Sequence, residues 1–147
     1  MDSPEPHDAV HLQIGEVAAR SALSIKTIRH YDEVGLVVPS ARSAGGFRLY
    51  TDSDVDRLLA IRRMKPLGFT LDDMRKLLEA QDALANSDTV SDDRTAAAAA
   101  LGEFHTRAEQ ACTTLARQLD YARELTDRLA DYAVDAGHRS KDGPAPD

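Results

Sequence analysis

Residues 14–50 read IGEVAARSALSIKTIRHYDEVGLVVPSARSAGGFRLY, and this stretch decides the fold. Ile14, Val17 and Ala18 recur at helical spacing, which predicts a short first helix from Ile14 to about Ala19. Ser21 to Leu23 form a turn. Ser24 then stands where a helix N-cap belongs, its hydroxyl able to accept an orphan backbone N–H. The second helix is expected from about Ile25 to Val34, with Ile25, Ile28 and Tyr31 on its apolar side. Between them lie Lys26, Thr27, Arg29 and His30, and Gly35 closes the helix. Leu36 to Val38 read as a short strand, Gly45-Gly46 as a hairpin tip, and Phe47 to Tyr50 as the returning strand. A helix-turn-helix beside a hairpin carrying Arg42, Arg48 and Tyr50 suits a duplex DNA backbone and one major groove.

Downstream, Thr51 caps a third helix, with Asp54 three residues on. Val55, Leu58, Leu59, Ile61 and Met64 give that helix a buried side, and Pro66 and Gly68 end it. Thr70 caps a fourth helix with an apolar stripe of Leu71, Met74, Leu77 and Leu78. Residues 81–93 are polar and read as a linker. From Arg94 to Ala136 there is no proline and one interior glycine, Gly102, with five alanines at 96–100. An apolar seam follows: Leu101, Phe104, Ala108, Ala111, Leu115, Gln118, Ala122, Leu125, Leu129 and Tyr132. Its steps alternate three and four residues, the heptad pattern of a coiled coil. A helix of this length needs a partner helix, most simply from a second copy. Gln118 in the seam would cost stability and could fix register.

The chain carries a net charge of −7, superficially against nucleic acid. Residues 11–65, however, hold nine Lys/Arg against six Asp/Glu, a segment of +3 that leaves −10 for the remainder. Such asymmetry points to a basic reading head on an acidic body. Aromatic residues are 5% of the chain and Trp is absent, so a large core is not expected. No apolar run is long enough to span a bilayer. The first ten residues, MDSPEPHDAV, lack an apolar signal core, so the reading is a cytoplasmic protein.

The motifs IGEVA, TIRHYD, GLVVP, GGFRLY and RRMKPLGFTL, in this order between about Leu12 and Leu78, resemble the N-terminal domain of the MerR family of bacterial transcription regulators. The resemblance implies a mainly α fold: a winged helix-turn-helix head followed by a long helix that dimerises as an antiparallel coiled coil. It implies a homodimer that binds double-stranded promoter DNA at a pseudo-palindromic site and distorts the spacer for RNA polymerase, by indirect readout. Carried over by position, Lys26, Thr27, Arg29, His30 and Tyr31 take the recognition-helix contacts, and Arg42, Arg48 and Tyr50 the wing contacts. Tyr31 is open between core packing and a phosphate contact through its hydroxyl. His30 stands where the family usually has an aromatic residue, and Phe47 where its wing usually has Tyr.

The expected organisation is a disordered tail over 1–10, a head over 11–80 (helix-turn-helix 14–33, wing 36–50), a linker over 81–93, a coiled-coil helix over 94–136, and a disordered tail over 137–147. Dimerisation falls to Leu101, Phe104, Ala108, Ala111, Leu115, Ala122, Leu125 and Leu129. Arg62, Arg63 and Lys65 read as a solvated face. Cys112, with His105 seven residues before it, is a weak metal candidate without further soft ligands, and no metal or cofactor is expected. A small seam residue is the plainer reading of Cys112. No catalytic constellation stands out, so an enzyme is not expected. Two other readings stay open: an excisionase-like DNA-bending protein, and a coiled-coil interaction protein whose head has lost DNA binding. An effector would bind between the fourth helix, residues 80–93 and the partner's long helix; otherwise abundance alone sets activity.

Overall fold

The computed structural model describes residues 11–139. The tail expected over 1–10, and the part of the C-terminal one from residue 140 on, lie outside the described residues. The chain divides into two units between His105 and Thr106.

The first unit opens with β1 (Leu12–Gln13), α1 (Ile14–Ser21) and α2 (Ile25–Glu33). The hairpin β2 (Ala41–Arg42) and β3 (Arg48–Tyr50) follows, then α3 (Asp52–Met64), a 3-10 turn (Lys65–Leu67) and α4 (Leu71–Ala85). The last helix, α5 (Ser91–Arg139), begins here and continues into the second unit. The sheet has the order β1-β3-β2 with both pairings antiparallel: Leu12 faces Tyr50, and Arg42 faces Arg48.

The caps form as the sequence anticipates. The Ser24 hydroxyl accepts from the Thr27 N–H at 3.0 Å. Thr51 with Asp54, and Thr70 with Asp73, each make a full capping box. Asp54 is buried because it does two things. Its Oδ2 accepts from the Thr51 N–H at 2.9 Å and from the Ser40 hydroxyl at 2.6 Å. The cap thereby ties the start of α3 to the segment that leads into the wing.

Val17, Ile28, Tyr50, Leu58 and Ile61 are fully buried and form the core. Two arginines lock the helix ends around it. Arg62 of α3 donates to the Ser21 carbonyl at the end of α1, at 3.0 Å. Arg75 of α4 donates to the Val34 carbonyl just past α2, at 2.9 Å. Each cation satisfies an orphan carbonyl at the negative end of a helix. Arg62 remains exposed, as expected of a solvated face, but its guanidinium is tied to the end of α1.

The segment Leu36–Val38 is not a strand; the short strand lies later, at Ala41–Arg42. The Leu36 and Val37 N–H groups both donate to the Tyr31 carbonyl, at 2.8 and 3.2 Å, and so finish α2 instead of joining a ladder. The linker expected over 81–93 is also shorter: α4 runs to Ala85 and α5 starts at Ser91. At the far end α5 extends through Arg139, so Gly137–Arg139 are helical.

Phe104 is not on an open seam. It is buried within its own chain, its ring 5.6 Å from that of Phe69. In the second unit the picture reverses: Leu115, Leu119, Leu125, Leu129 and Tyr132 are all exposed. They fall on one side of the helix, so they form an apolar row.

Left-handed backbone is needed at several turns, two of which flank α2. Gly35 meets that need at φ 71° without a side chain. Ala22, between α1 and α2, sits at φ 55° with a Cβ. Replacing Ala22 by Gly should relieve about 1 kcal/mol of left-handed strain, offset only in part by unfolded-state entropy. Thermal unfolding should then show Ala22→Gly melting a few degrees higher and Gly35→Ala melting lower. A lower melting temperature for Ala22→Gly would contradict this geometry.

Candidate nucleic-acid interface

The capped first turn of α2 turns Lys26 and Thr27 outward, and one turn on it exposes Arg29 and His30. Ile28 and Tyr31, on the opposite side, are buried and fix the helix to the core. Thr27 is half-buried, its hydroxyl 2.8 Å from that of Ser24.

The wing is held by hydrogen bonds at its tip. Ser43 N–H donates to the Phe47 carbonyl at 2.9 Å, and Phe47 N–H donates to the Ser43 hydroxyl at 3.1 Å. Gly46 adopts φ 80°, which the tight tip needs. Phe47 stands 71% exposed at the tip.

The link between wing and helix is Asp32, the last residue of the TIRHYD motif, to which the sequence reading assigns no role. It sits near the end of α2 with its side chain 13% exposed. Its Oδ2 accepts from Arg48 Nε at 2.6 Å and from Arg42 Nη2 at 3.3 Å. Arg42 Nη1 also donates to the Gly46 carbonyl at 3.2 Å. The hydrogen bond to Asp32 holds the Arg48 pKa above its usual value. The nine-residue helix thus grips both strands of the hairpin through one carboxylate. The remaining N–H groups of Arg48 can face a phosphate while Nε stays anchored. A sequence signal existed: an acid just after two aromatic ring systems and before the helix-ending glycine. Only the fold, however, supplies its arginine partners 10 and 16 residues away.

Arg29 and Arg48 meet in one cleft of about 300 Å³, also lined by Gln13, Gly15, Gly46 and Phe47. α2, the wing and the start of α1 therefore converge on one cationic recess. Lys26, Thr27, His30 and Tyr31 instead line a second pocket of about 600 Å³.

Tyr50 does not belong to this surface. It is fully buried, and burial raises its hydroxyl pKa above the usual tyrosine value. Its side chain packs the core beneath the wing, paired across the sheet with Leu12. Tyr31 likewise has its ring in the core, at 3% exposure, so core packing is the reading its position supports. Cys112 is exposed, and no group of three or more His, Cys, Asp or Glu residues that could hold a metal occurs among the described residues. No helix among them is long and apolar enough to cross a membrane.

A helix-turn-helix whose second helix is clamped to a glycine-tipped hairpin is the arrangement of winged-helix DNA-binding proteins. The comparisons with known proteins make the class specific. Residues 12–81 match the MerR HTH family regulatory protein pattern, and residues 55–131 match the MerR DNA-binding pattern. The chain belongs to the MerR family. It is 37% identical over 120 residues to an uncharacterized HTH-type transcriptional regulator of Pseudomonas aeruginosa, covering 82% of this chain and 81% of that one. It is 46% identical over 66 residues to the HTH-type transcriptional activator TipA of Streptomyces coelicolor, covering 45% of this chain. That match spans only 26% of the length of TipA. Among solved structures, HiNmlR, a MerR family regulator lacking the sensor domain and bound to promoter DNA, superimposes with a TM-score of 0.61 at 23% identity. The match covers 87% of this chain and 94% of that one, and it shows the shared fold.

If Tyr50 is a core residue and not a DNA contact, Tyr50→Phe should leave operator affinity unchanged and should not lower the melting temperature. Its hydroxyl has no hydrogen-bond partner among the described residues, so its removal eliminates a buried unsatisfied group. Weakened DNA binding by a folded Tyr50→Phe protein would return Tyr50 to the interface.

Proposed function

We propose that this chain is a transcription regulator that binds a pseudo-palindromic promoter site as a homodimer and distorts the spacer DNA. The observation that carries this reading is the convergence of Arg29 and Arg48 in one recess beside the wing tip. One arginine comes from the helix suited to the major groove and the other from the hairpin suited to the flanking backbone. Lys26, Thr27, His30 and Arg42 extend the same surface. The bare row from Leu115 to Tyr132 supports pairing with a second copy, in which it would bury against its equivalent. Leu101, Ala108 and Ala111 are half-buried and would continue the seam toward the head end of α5. Membership of a family of regulators, not enzymes, supports a binding role without catalysis. RNA polymerase is the partner this reading implies, and the cytoplasm the compartment.

The first test is binding to duplexes from the DNA upstream of the gene. Arg29→Ala and Arg48→Ala each remove one charge-assisted hydrogen bond per protomer, worth about 1.5–3 kcal/mol, so with two lost per dimer affinity should fall about a hundredfold or more. The slope of log K against log salt should shrink by about 0.9 for each phosphate no longer neutralised, about 1.8 per dimer. Unchanged affinity and slope in both variants would remove these residues from the interface. Footprinting separates regulator from excisionase-like bender: the first protects a promoter spacer, the second a recombination site.

Pairing is tested separately. Leu125→Asp combined with Leu129→Asp places two charges in the proposed seam, where burial without a partner is costly. Sedimentation equilibrium should then find a single chain where the unaltered protein sediments as two. A dimeric double variant would exclude this face as the seam.

A further inference from the structure

Most cations of the first unit are already engaged. Arg20 binds Glu16 and Asp52, Arg57 binds Asp82, and Lys76 binds Asp72. Arg42 and Arg48 share Asp32. Lys26 and Lys65 are different: among the described residues neither has a carboxylate partner. Both stand at the rim of the 600 Å³ pocket between α2, the 3-10 turn and the start of α4.

The floor of that pocket is apolar. Tyr31, Phe69 and Met74 are buried side chains that show it only a face or an edge, and Leu71 at its edge is 37% exposed. Among the described residues no carboxylate lines it. Lys65 Nζ lies 5.7 Å from the centre of the Tyr31 ring, so the ammonium is held over the aromatic face. The volume falls within the range that encloses a small organic ligand, about 300–1,000 Å³. A bare phosphate would use the lysines and leave the apolar floor wet. A neutral hydrocarbon would use the floor and leave two ammonium groups without a counterion. A ligand with both an anionic group and a flat apolar body satisfies both.

We propose that this pocket binds a small aromatic anion, a carboxylate or sulfonate on a flat ring system, and that its occupation competes with DNA for the recognition helix. The competition follows because Lys26, Thr27 and His30 line the pocket and belong to the surface assigned to DNA; this second half rests on the proposed function. The site differs from a crevice against a partner's long helix, being built by one chain.

The probe is 1-naphthoate, titrated into the isotopically labelled full-length protein without DNA and followed by amide chemical shifts. Shifts should concentrate at residues 26–31 and 65–74. Lys65→Met, which keeps the stem and removes the charge, and Leu71→Asn, which keeps the size and removes the apolar surface, should each weaken binding about tenfold or more. Both residues are exposed, so both variants should fold, and their spectra report it. The neutral analogue 1-naphthol should bind more weakly. Shifts confined elsewhere, wild-type affinity in Lys65→Met, or equal saturation of these residues by inorganic phosphate would overturn the site. In a second arm, saturating naphthoate should lower operator affinity of the wild type and spare that of Lys65→Met. Naphthoate bound with operator affinity unchanged would overturn the competition. Because the first arm contains no DNA, failure of operator binding by itself would fall on the proposed function and not on the pocket.

Discussion

Two arginines from opposite strands of a hairpin lean on one carboxylate, and the reading surface depends on that interaction. The hairpin is only two residues against three, far too short to hold its own geometry in water. Its glycine tip adds freedom. Pairing of β3 with β1 and the burial of Tyr50 seat its base, and Asp32 reaches from α2 to tie down both strands. The side chain is mostly shielded from solvent, so the interaction is less screened than an exposed ion pair. Helix and wing are thereby tied to each other through one side chain. A surface assembled this way would meet a duplex with less ordering left to do, and less affinity would be spent on that ordering.

The same ion pairing changes how the basic segment is to be weighed. By formal charge the head is a cationic patch, yet much of that charge is internal to the protein. Arg62 and Arg75 close helix ends, Arg20 and Arg57 bridge to acids on neighbouring elements, and the wing arginines share Asp32. The cations left for solvent include Lys26, Arg29, Arg63 and Lys65, a much smaller set. An acidic chain with few uncommitted cations relies on placed interactions more than on a diffuse field.

What can be read from the sequence follows the range of the interactions. Ser24, Thr51 and Thr70 announce their caps because a cap is satisfied within three residues. Gly35 and the Gly45-Gly46 tip are legible for the same reason. The apolar run Leu36–Val38 misleads because a strand and a helix-closing turn both bury such residues. The difference lies in where the backbone N–H groups go, and here they return to Tyr31. Asp32, Tyr50 and Phe104 are not legible, because their roles depend on partners far along the chain. Tyr50 needs β1 beside it to be core, and Phe104 needs Phe69 across from it. The assignment of Lys26, Arg29 and Arg48 to DNA rests on matching motif positions. The fold adds, for Arg29 and Arg48, the shared recess that spacing alone does not reveal.

The leucines along the second unit carry a consequence for the life of the protein in the cell. A helix wetted on its greasy side has little tertiary packing of its own to resist fraying, and hence to resist proteases. Burying that side against a twin, as proposed above, would make folded lifetime a matter of mass action, longer at high copy number and shorter at low. Were the row paired in this way, the protein would carry its own abundance threshold, set by the affinity of leucine for leucine.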